Sequence, residues 1–178
     1  MLTMKAIAVL TLAVTLFQAV SVYGQGCPNG FMMHGEACYL FSILRVSWIQ
    51  AMKFCELYGG ELAVIETEQE QLWVESYLNS TWTHYNQTDG IWLGGADLLV
   101  ENEWEWVKEG RPFTYTRWAP GEPSHYQRVG ADENCLDLLP HKHFMWNDES
   151  CAWKMNFLCK TSLDGDPLTL IGKRSNSV

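Results

Sequence analysis

Oxygen-bearing side chains bracket a long segment of the sequence that lacks any periodicity. Glu122 and Glu133 lie within the segment Pro120 to Glu133, and Asn147 and Asp148 follow it closely. The segment contains two prolines and two glycines, and a long structureless stretch in a compact domain is usually functional or disordered. Calcium takes about six to eight oxygen ligands, which carboxylates and amide carbonyls supply. The residues indicate a candidate calcium site, although acidic loop residues taken alone are more often simply solvated.

The same carboxylates do not suggest an enzyme. Glycoside hydrolysis needs one carboxylic acid that gives up a proton. Calcium bound between Glu122 and Glu133 would hold both groups as anions and leave no general acid. The sequence also offers no recognisable nucleophile paired with a base. We therefore expect a binding protein and not an enzyme.

The cysteines predict disulfide bonds and not a metal site. All six follow the N-terminal apolar run, and an even number in an exported chain indicates three disulfides, whose pairing the spacing alone leaves open. Zinc is the competing use, but no two cysteines lie at the short separation typical of zinc sites. His141 and His143 would fill only half of a tetrahedral shell, so we expect no transition metal.

Two helices are expected before a series of strands. Capping-box patterns at Ser47 and Thr67 open helices that end before Gly59 and near Leu78. Short apolar and aromatic segments predict strands. The predicted strands are Leu62 to Ile65, Ile91 to Gly94, Trp104 to Val107, Phe113 to Trp118, Cys135 to Leu138, Phe144 to Trp146 and Phe157 to Lys160. Helices followed by strands predict an α+β fold.

Five short motifs carry a family resemblance. In chain order they are Trp92-Leu93-Gly94-Gly95, Trp104-Glu105-Trp106, Glu122-Pro123-Ser124, Glu133-Asn134-Cys135 and Trp146-Asn147-Asp148. Set among the six cysteines, they resemble the C-type lectin domain from Cys27 to Lys160. The resemblance implies two helices, small antiparallel sheets, a long calcium- and ligand-binding loop and tryptophans of the first two motifs in the core. It also implies the disulfides Cys27 to Cys38, Cys55 to Cys159 and Cys135 to Cys151.

The resemblance assigns the binding site as well. It places the sugar-binding calcium ion at Glu122, Ser124, Glu133, Asn147 and Asp148. The intervening proline falls where the family has a cis proline, which would aim both flanking side chains at the ion. In the family mechanism, two neighbouring sugar hydroxyls complete the calcium shell while they hydrogen-bond to the protein ligands. The same five residues are thus expected to hold both the metal and the sugar.

Ser124 departs from the family pattern at a position that bears on sugar preference. Mannose-type members pair Glu with Asn around the proline, whereas galactose-type members pair Gln with Asp. This chain keeps Glu122 but carries the shorter serine, whose hydroxyl both donates and accepts hydrogen bonds. Glu122 favours mannose, fucose or glucose. The alternative is a galactose-type lectin in which His125 and Tyr126 stack on the apolar face of the sugar.

A second calcium position of the family is matched only in part. Asp97 and Glu101 have the expected residue types and spacing, and Asn134 is able to substitute for a carboxylate. His125 stands where the family has an acidic ligand. These residues therefore form a candidate auxiliary calcium site.

The two ends of the chain predict an exported protein without a membrane anchor. Lys5 and the apolar run Ala6 to Phe17 have the layout of a signal peptide over residues 1–24, and this 12-residue run is shorter than the roughly 20 residues of a membrane span. The lectin domain is then residues 25–160, followed by a flexible tail over residues 161–178. Sequons at Asn79 and Asn86 predict glycosylation of a surface loop.

Charge and site chemistry together predict the class of partner. Removal of residues 1–24 changes the formal charge from −9 to −10, which argues against nucleic acid. We expect a secreted, calcium-dependent lectin that recognises microbial or cell-surface glycans, in innate defence, without inserting into membranes. A single shallow site binds weakly, so a homo-oligomer or clustered ligands would supply avidity. The alternative is a lectin-like domain that binds a protein partner without calcium.

Overall fold

The computed structural model describes residues 26–82, 90–124 and 132–163. These residues form two α-helices, α1 (Trp48–Leu57) and α2 (Glu68–Trp82), and a short 3-10 helix (Pro140–Lys142). The strands are β1 (Met32–His34), β2 (Ala37–Val46), β3 (Glu61–Leu62), β4 (Ile91–Ala96), β5 (Glu105–Trp106), β6 (Arg111–Pro112), β7 (Glu133–Leu139), β8 (Met145–Ser150) and β9 (Met155–Ser162). The expected α+β class is confirmed.

The strands of the described residues join in one connected sheet. Neighbours follow the order β1-β2-β9-β4-β5-β6, while β3 also pairs with β9, and β7 pairs with β4 and β8. The pairings between these strands are antiparallel except that of β4 with β9, in which Ile91 aligns with Asn156. The small antiparallel sheets expected from the sequence therefore meet through one parallel contact between β4 and β9.

Both predicted helices are present and begin at their predicted caps. The backbone N–H of Ser47 donates to Gln50 Oε1 at 3.1 Å, which satisfies a donor that the first turn of α1 leaves free. At the start of α2, Glu70 N donates to Thr67 Oγ1 at 3.2 Å. Helix α2 continues to Trp82, beyond the predicted end.

The strand predictions are correct for β4, β5, β7, β8 and β9 and wrong for the segment Phe113 to Trp118. In that segment only an isolated bridge links Trp118 with Trp146. Phe113 and Tyr115 instead place their rings edge-on to Trp146, with centroids 5.4 and 5.8 Å from its ring. Aromatic residues in this segment therefore fill the core from irregular backbone.

Three strands escape the sequence prediction, and a fourth is shorter than predicted. β1, β2 and β6 were not expected, and the long strand β2 has no continuous alternation because Ile43 and Leu44 on it are exposed. The predicted strand Leu62 to Ile65 is paired only at β3, and Ala63 continues the contact when its N–H donates to Leu158 O at 2.8 Å. Residues 63–65 are therefore buried, as expected of a strand segment, but they do not continue the strand after Leu62.

The core holds the tryptophans of the sequence motifs, and the three predicted disulfides are present. Trp92, Trp104 and Trp106 are 0%, 8% and 1% exposed, which confirms their expected role in packing. The observed disulfides are Cys27–Cys38, Cys55–Cys159 and Cys135–Cys151, as the resemblance implies. The second disulfide ties α1 to β9, and the third ties β7 to the turn that follows β8.

Gly94 permits a close approach of two strands. A Cβ atom at this position would lie 2.8 Å from the carbonyl oxygen of Leu62, a distance that real Cβ atoms essentially never show. Gly94 N donates to Ala63 O at 3.0 Å in the same contact. The first glycine of the Trp92-Leu93-Gly94-Gly95 motif therefore serves packing and not binding.

The last strand runs slightly past its predicted end. Strand β9 ends at Ser162, two residues beyond the expected end at Lys160. The predicted signal peptide, Asn86 and residues 164–178 of the predicted tail lie outside the described residues. Among the described helices, none has the length and apolar character needed to cross a membrane.

Candidate calcium and carbohydrate site

Strands β7 and β8 carry three of the five predicted site residues. Glu133 opens β7, and Asn147 and Asp148 lie in the middle of β8. The strands pair antiparallel, with Asp137 opposite Asn147. The Cys135–Cys151 disulfide joins β7 to the turn that directly follows β8. These strands bring residues that are 14 positions or more apart in sequence onto one edge of the sheet.

The loop residues of the site are held to β8 through the main chain of Trp146. Trp146 N donates to Arg117 O, and Ala119 N donates to Trp146 O, both at 2.8 Å. Trp146 itself is fully buried, and its indole N–H donates to the buried Gln71 Oε1 at 2.8 Å. Helix α2 therefore fixes the position of β8, and β8 fixes the start of the loop that carries Glu122.

Ser124 connects the loop to both strands of the site. Its backbone N–H donates to Asp148 Oδ1 at 2.9 Å, and its hydroxyl donates to Glu133 Oε2 at 3.1 Å. The Glu122–Pro123 peptide bond is cis, as the resemblance implies. The structure therefore brings Glu122, Ser124, Glu133 and Asp148 together, and their role as calcium and sugar ligands stays a prediction.

The site concentrates negative charge around a partly desolvated carboxyl. Burial is the main cause that raises the pKa of Glu122. The hydrogen bond of Glu122 with Asp148 and the charges of Asp148 and Glu133 raise this pKa further, whereas a hydrogen bond with Ser124 lowers it. Glu122 Oε2 is buried and has no hydrogen-bond partner. A divalent cation would relieve both the repulsion and the unsatisfied oxygen.

The donor set fits calcium in ligand type. Glu122, Glu133 and Asp148 offer carboxylate oxygens, and Asn147 and Ser124 offer amide and hydroxyl oxygens, which are the hard ligands that calcium prefers. Across residues 26–82, 90–124 and 132–163, no three acidic, histidine or cysteine side chains form a ready-made metal cluster. The set therefore depends on Asn147 and Ser124 as well as on its carboxylates.

A buried aspartate that the sequence reasoning missed contacts the site. Asp137 is 1% exposed, and its Oδ1 accepts a hydrogen bond from Asn147 Nδ2 at 2.9 Å. Asn147 Nδ2 also donates to the carbonyl oxygen of Asp148 at 2.7 Å. The available signal was a single acidic residue inside the apolar strand segment Cys135 to Leu138.

The three candidate residues of the auxiliary site lie near one another. Strand pairing places Asp97 beside Asn134, and Asp97 N donates to Asn134 O at 3.2 Å. Asp97 is 3% exposed, and its Oδ2 accepts a hydrogen bond from Asn102 N at 3.0 Å in the turn that includes Glu101. Asn134 Oδ1 is buried without a hydrogen-bond partner. An auxiliary calcium ion stays a prediction, and His125 lies outside the described residues.

The predicted loop location of the first sequon is wrong. Asn79 is exposed but lies in α2, not in a loop. The hydroxyls of Ser80 and Thr81 both donate to Tyr77 O, at 2.7 and 2.6 Å. The helix extends past its predicted end and includes this sequon. Glycosylation at Asn79 stays a prediction, as it does at Asn86.

Comparison with known proteins decides the family. The family model for the lectin C-type domain matches residues 44–161, which is more than half of the chain. The chain belongs to the C-type lectin domain family. The family is non-enzymatic in general, in agreement with the absence of a catalytic arrangement in the sequence.

Relatives of this C-type lectin domain differ in what their names say about calcium and sugar. Perlucin from Haliotis laevigata is 32% identical over 136 residues, covering 76% of this chain and 83% of perlucin. The cow C-type carbohydrate-recognition domain of CD23, solved in the presence of a GlcNAc2Man3 oligosaccharide, is 29% identical with a TM-score of 0.64, covering 76% of this chain and 95% of that chain. A calcium-independent type II antifreeze protein is 25% identical with a TM-score of 0.62, covering 76% of this chain and 94% of that chain.

Proposed function

We propose that this chain is a secreted lectin that binds carbohydrate through calcium held by Glu122, Ser124, Glu133, Asn147 and Asp148. The observation that carries the proposal is the position of Ser124, which hydrogen-bonds both Asp148 and Glu133 while Glu122 lies against Asp148. Separate segments of the chain thus converge on one group of hard oxygen ligands.

Bound calcium would supply coordination positions for two neighbouring sugar hydroxyls. The carboxylates of Glu122 and Glu133 accept hydrogen bonds from such hydroxyls, because an ionised carboxylate is an acceptor only. Ser124 is the one ligand whose hydroxyl donates as well as accepts. In this arrangement each side chain that holds the ion also orients the sugar.

We propose mannose, fucose or glucose as the preferred sugar class. Glu122 is retained from the mannose-type pair, and the hydroxyl of Ser124 lies 3.1 Å from Glu133, so the shorter side chain still reaches the ligand set. The cow CD23 domain offers a precedent, since its structure was solved with an oligosaccharide that contains mannose. A galactose preference is the alternative.

We further propose that the protein acts outside the cell on clustered glycans of microbial or cellular surfaces. A shallow single site binds weakly, and simultaneous engagement of several sites raises the overall affinity without any new contact. The role in innate defence expected from the sequence and a homo-oligomeric state would both be consistent with this mode of binding. Light scattering of the secreted protein would measure its oligomeric state.

The deciding experiment is retention of the folded, disulfide-bonded protein on mannose and galactose resins. We expect retention on mannose in calcium and release by a chelator. The variant Glu36→Gln is a control for the loss of one negative charge, because Glu36 is an exposed carboxylate outside the site. It should be retained and released as the wild type is. Retention on galactose alone would contradict the mannose class, and retention that survives the chelator would contradict the calcium mechanism.

A calcium-independent, protein-binding domain is the second candidate function. The similarity to a calcium-independent antifreeze protein favours this candidate. Failure of the folded protein to bind either resin, together with no heat of calcium binding, would select this candidate.

A further inference from the structure

Asp137 is a buried acidic residue that the proposed ligand set does not include. It lies in the middle of β7, between Trp92 of β4 and Asn147 of β8, and is 1% exposed. Burial raises its pKa well above the usual range, the charges of Glu149, Asp148 and Glu122 add to this effect, and the hydrogen bond from Asn147 opposes it. An apolar residue would avoid the unfavourable burial of this carboxyl.

The contacts of Asp137 and Asp148 use both amino hydrogens of the Asn147 amide. Asn147 Nδ2 donates to Asp137 Oδ1 at 2.9 Å and to the main-chain carbonyl of Asp148 at 2.7 Å. A side-chain amide has two donors on nitrogen and an acceptor on oxygen. Among the described residues, Asn147 Oδ1 accepts no hydrogen bond. Both hydrogens on Asn147 Nδ2 are therefore used in hydrogen bonds, and Asn147 Oδ1 is available to a ligand.

The opposite side of the Asp137 carboxyl is fixed by packing. A Cβ atom on Gly90 would lie 1.8 Å from Asp137 Oδ2 and 2.8 Å from Met155 Sδ. The carboxyl therefore lies directly against the backbone of Gly90, and the glycine makes room for it. Gly90 on one side and Asn147 on the other hold the carboxyl in a single position.

We infer that Asp137 is a positioning residue that orients the Asn147 amide so that its oxygen, and not its nitrogen, is presented to calcium. The inference rests on the proposed function, since it concerns a ligand of the proposed calcium site. Partners that orient metal ligands typically change metal affinity by about 10–100-fold when they are removed. Asp137 acts through Asn147 and does not touch the ion.

The test compares calcium affinity in single and double variants of the full secreted chain by isothermal titration calorimetry. We expect Asp137→Leu, which keeps the branched shape of the side chain and removes both oxygens, to weaken calcium binding by about 10–100-fold. Glu149→Gln is the control for charge, because Glu149 is a nearby carboxylate that contributes to the field at Asp137. It should weaken calcium binding less than Asp137→Leu does.

The Asn147→Asp background separates orientation from charge. An aspartate at position 147 has two equivalent oxygens, so it needs no partner to present one of them. We expect Asp137→Leu to cause no further loss of calcium affinity in this background. Equal losses in both backgrounds, or an equal loss from Glu149→Gln, would overturn the positioning role.

A measurement without calcium tests the contact itself. In the metal-free protein, the Asn147 side-chain amide hydrogens should exchange slowly with solvent by NMR in the wild type and faster in Asp137→Leu, with the backbone still folded. Unchanged exchange would overturn the inference. A wild-type chain that binds no calcium would overturn the proposed function and this role with it, whereas unchanged calcium affinity in Asp137→Leu would overturn the role alone.

Discussion

Replacement of Glu122 by glutamine should stabilise the protein in the absence of calcium and make it less stable than the wild type in the presence of calcium. Glu122 Oε2 is buried without a partner, and the carboxyl faces the charges of Asp148 and Glu133. An unsatisfied buried polar atom costs about 1–3 kcal/mol, and we take the lower end because the Glu122 side chain is partly exposed. In a chelator, Glu122→Gln should therefore raise the free energy of unfolding by about 1 kcal/mol, or the melting temperature by roughly 4 °C.

Calcium should invert this order. At a calcium concentration about 100 times the dissociation constant, binding stabilises the wild type by about 2.7 kcal/mol. The variant lacks a carboxylate ligand and should gain little of this, so the wild type should become the more stable protein by about 2 kcal/mol. Urea unfolding followed by tryptophan fluorescence, with and without a chelator, measures both differences. Glu36→Gln is the control, and exposed substitutions of this kind usually change stability by less than about 0.5 kcal/mol.

Two results would refute the reasoning about Glu122. A variant that is less stable than the wild type in the chelator would show that the carboxyl is stabilised in the folded protein and not strained by its neighbours. A variant that gains as much stability from calcium as the wild type would show that Glu122 is not a ligand. The second result would leave the fold intact and remove the site assignment.

Three further predictions concern Glu61, Gly94 and Ser124. Burial, and then the charge of and hydrogen bond to Glu109, raise the pKa of Glu61 to about 7. Because this pKa lies above the ordinary value, the free energy of unfolding should fall as pH rises from about 4.5 to 7. After allowance for solvent screening, Glu61→Gln should make this fall smaller by roughly 1 kcal/mol. Urea titrations at several pH values measure the difference. Gly94→Ala should destabilise the domain by about 1–3 kcal/mol, because its Cβ would meet Leu62 O; thermal unfolding measures this, and no loss would contradict the close approach. Ser124→Asn should tighten mannose binding on the resin by restoring the mannose-type pair, and a shift to galactose would contradict that assignment.

Three of the five motifs carry Glu122, Ser124, Glu133 and Asp148, and the structure brings these residues together, while their role as ligands stays a prediction. The strands β1, β2 and β6 carry no such motif. Exposed Ile43 and Leu44 in β2 broke the alternation on which strand prediction depends.

Two errors came from long-range packing that local patterns do not encode. The aromatic segment Phe113 to Trp118 has strand composition, yet its rings pack on Trp146 from irregular backbone. Asp137 was missed because its importance depends on the strand register that places it opposite Asn147. A charged residue in an apolar segment marks such a position only after its cross-strand partner is known.

The attachment of the candidate binding loop at Trp146 has a consequence for how the proposed sugar preference would change with the loop sequence. The loop starts from two hydrogen bonds to the main chain of one core tryptophan, and that tryptophan is secured by Gln71 of α2. Main-chain bonds do not depend on the side chains further along the loop. If the proposed function holds, substitutions, insertions or deletions beyond Ala119 would alter the recognised ligand while β8 keeps Asn147 and Asp148 in place. The stability of the core and the choice of ligand would then be encoded by separate parts of the chain.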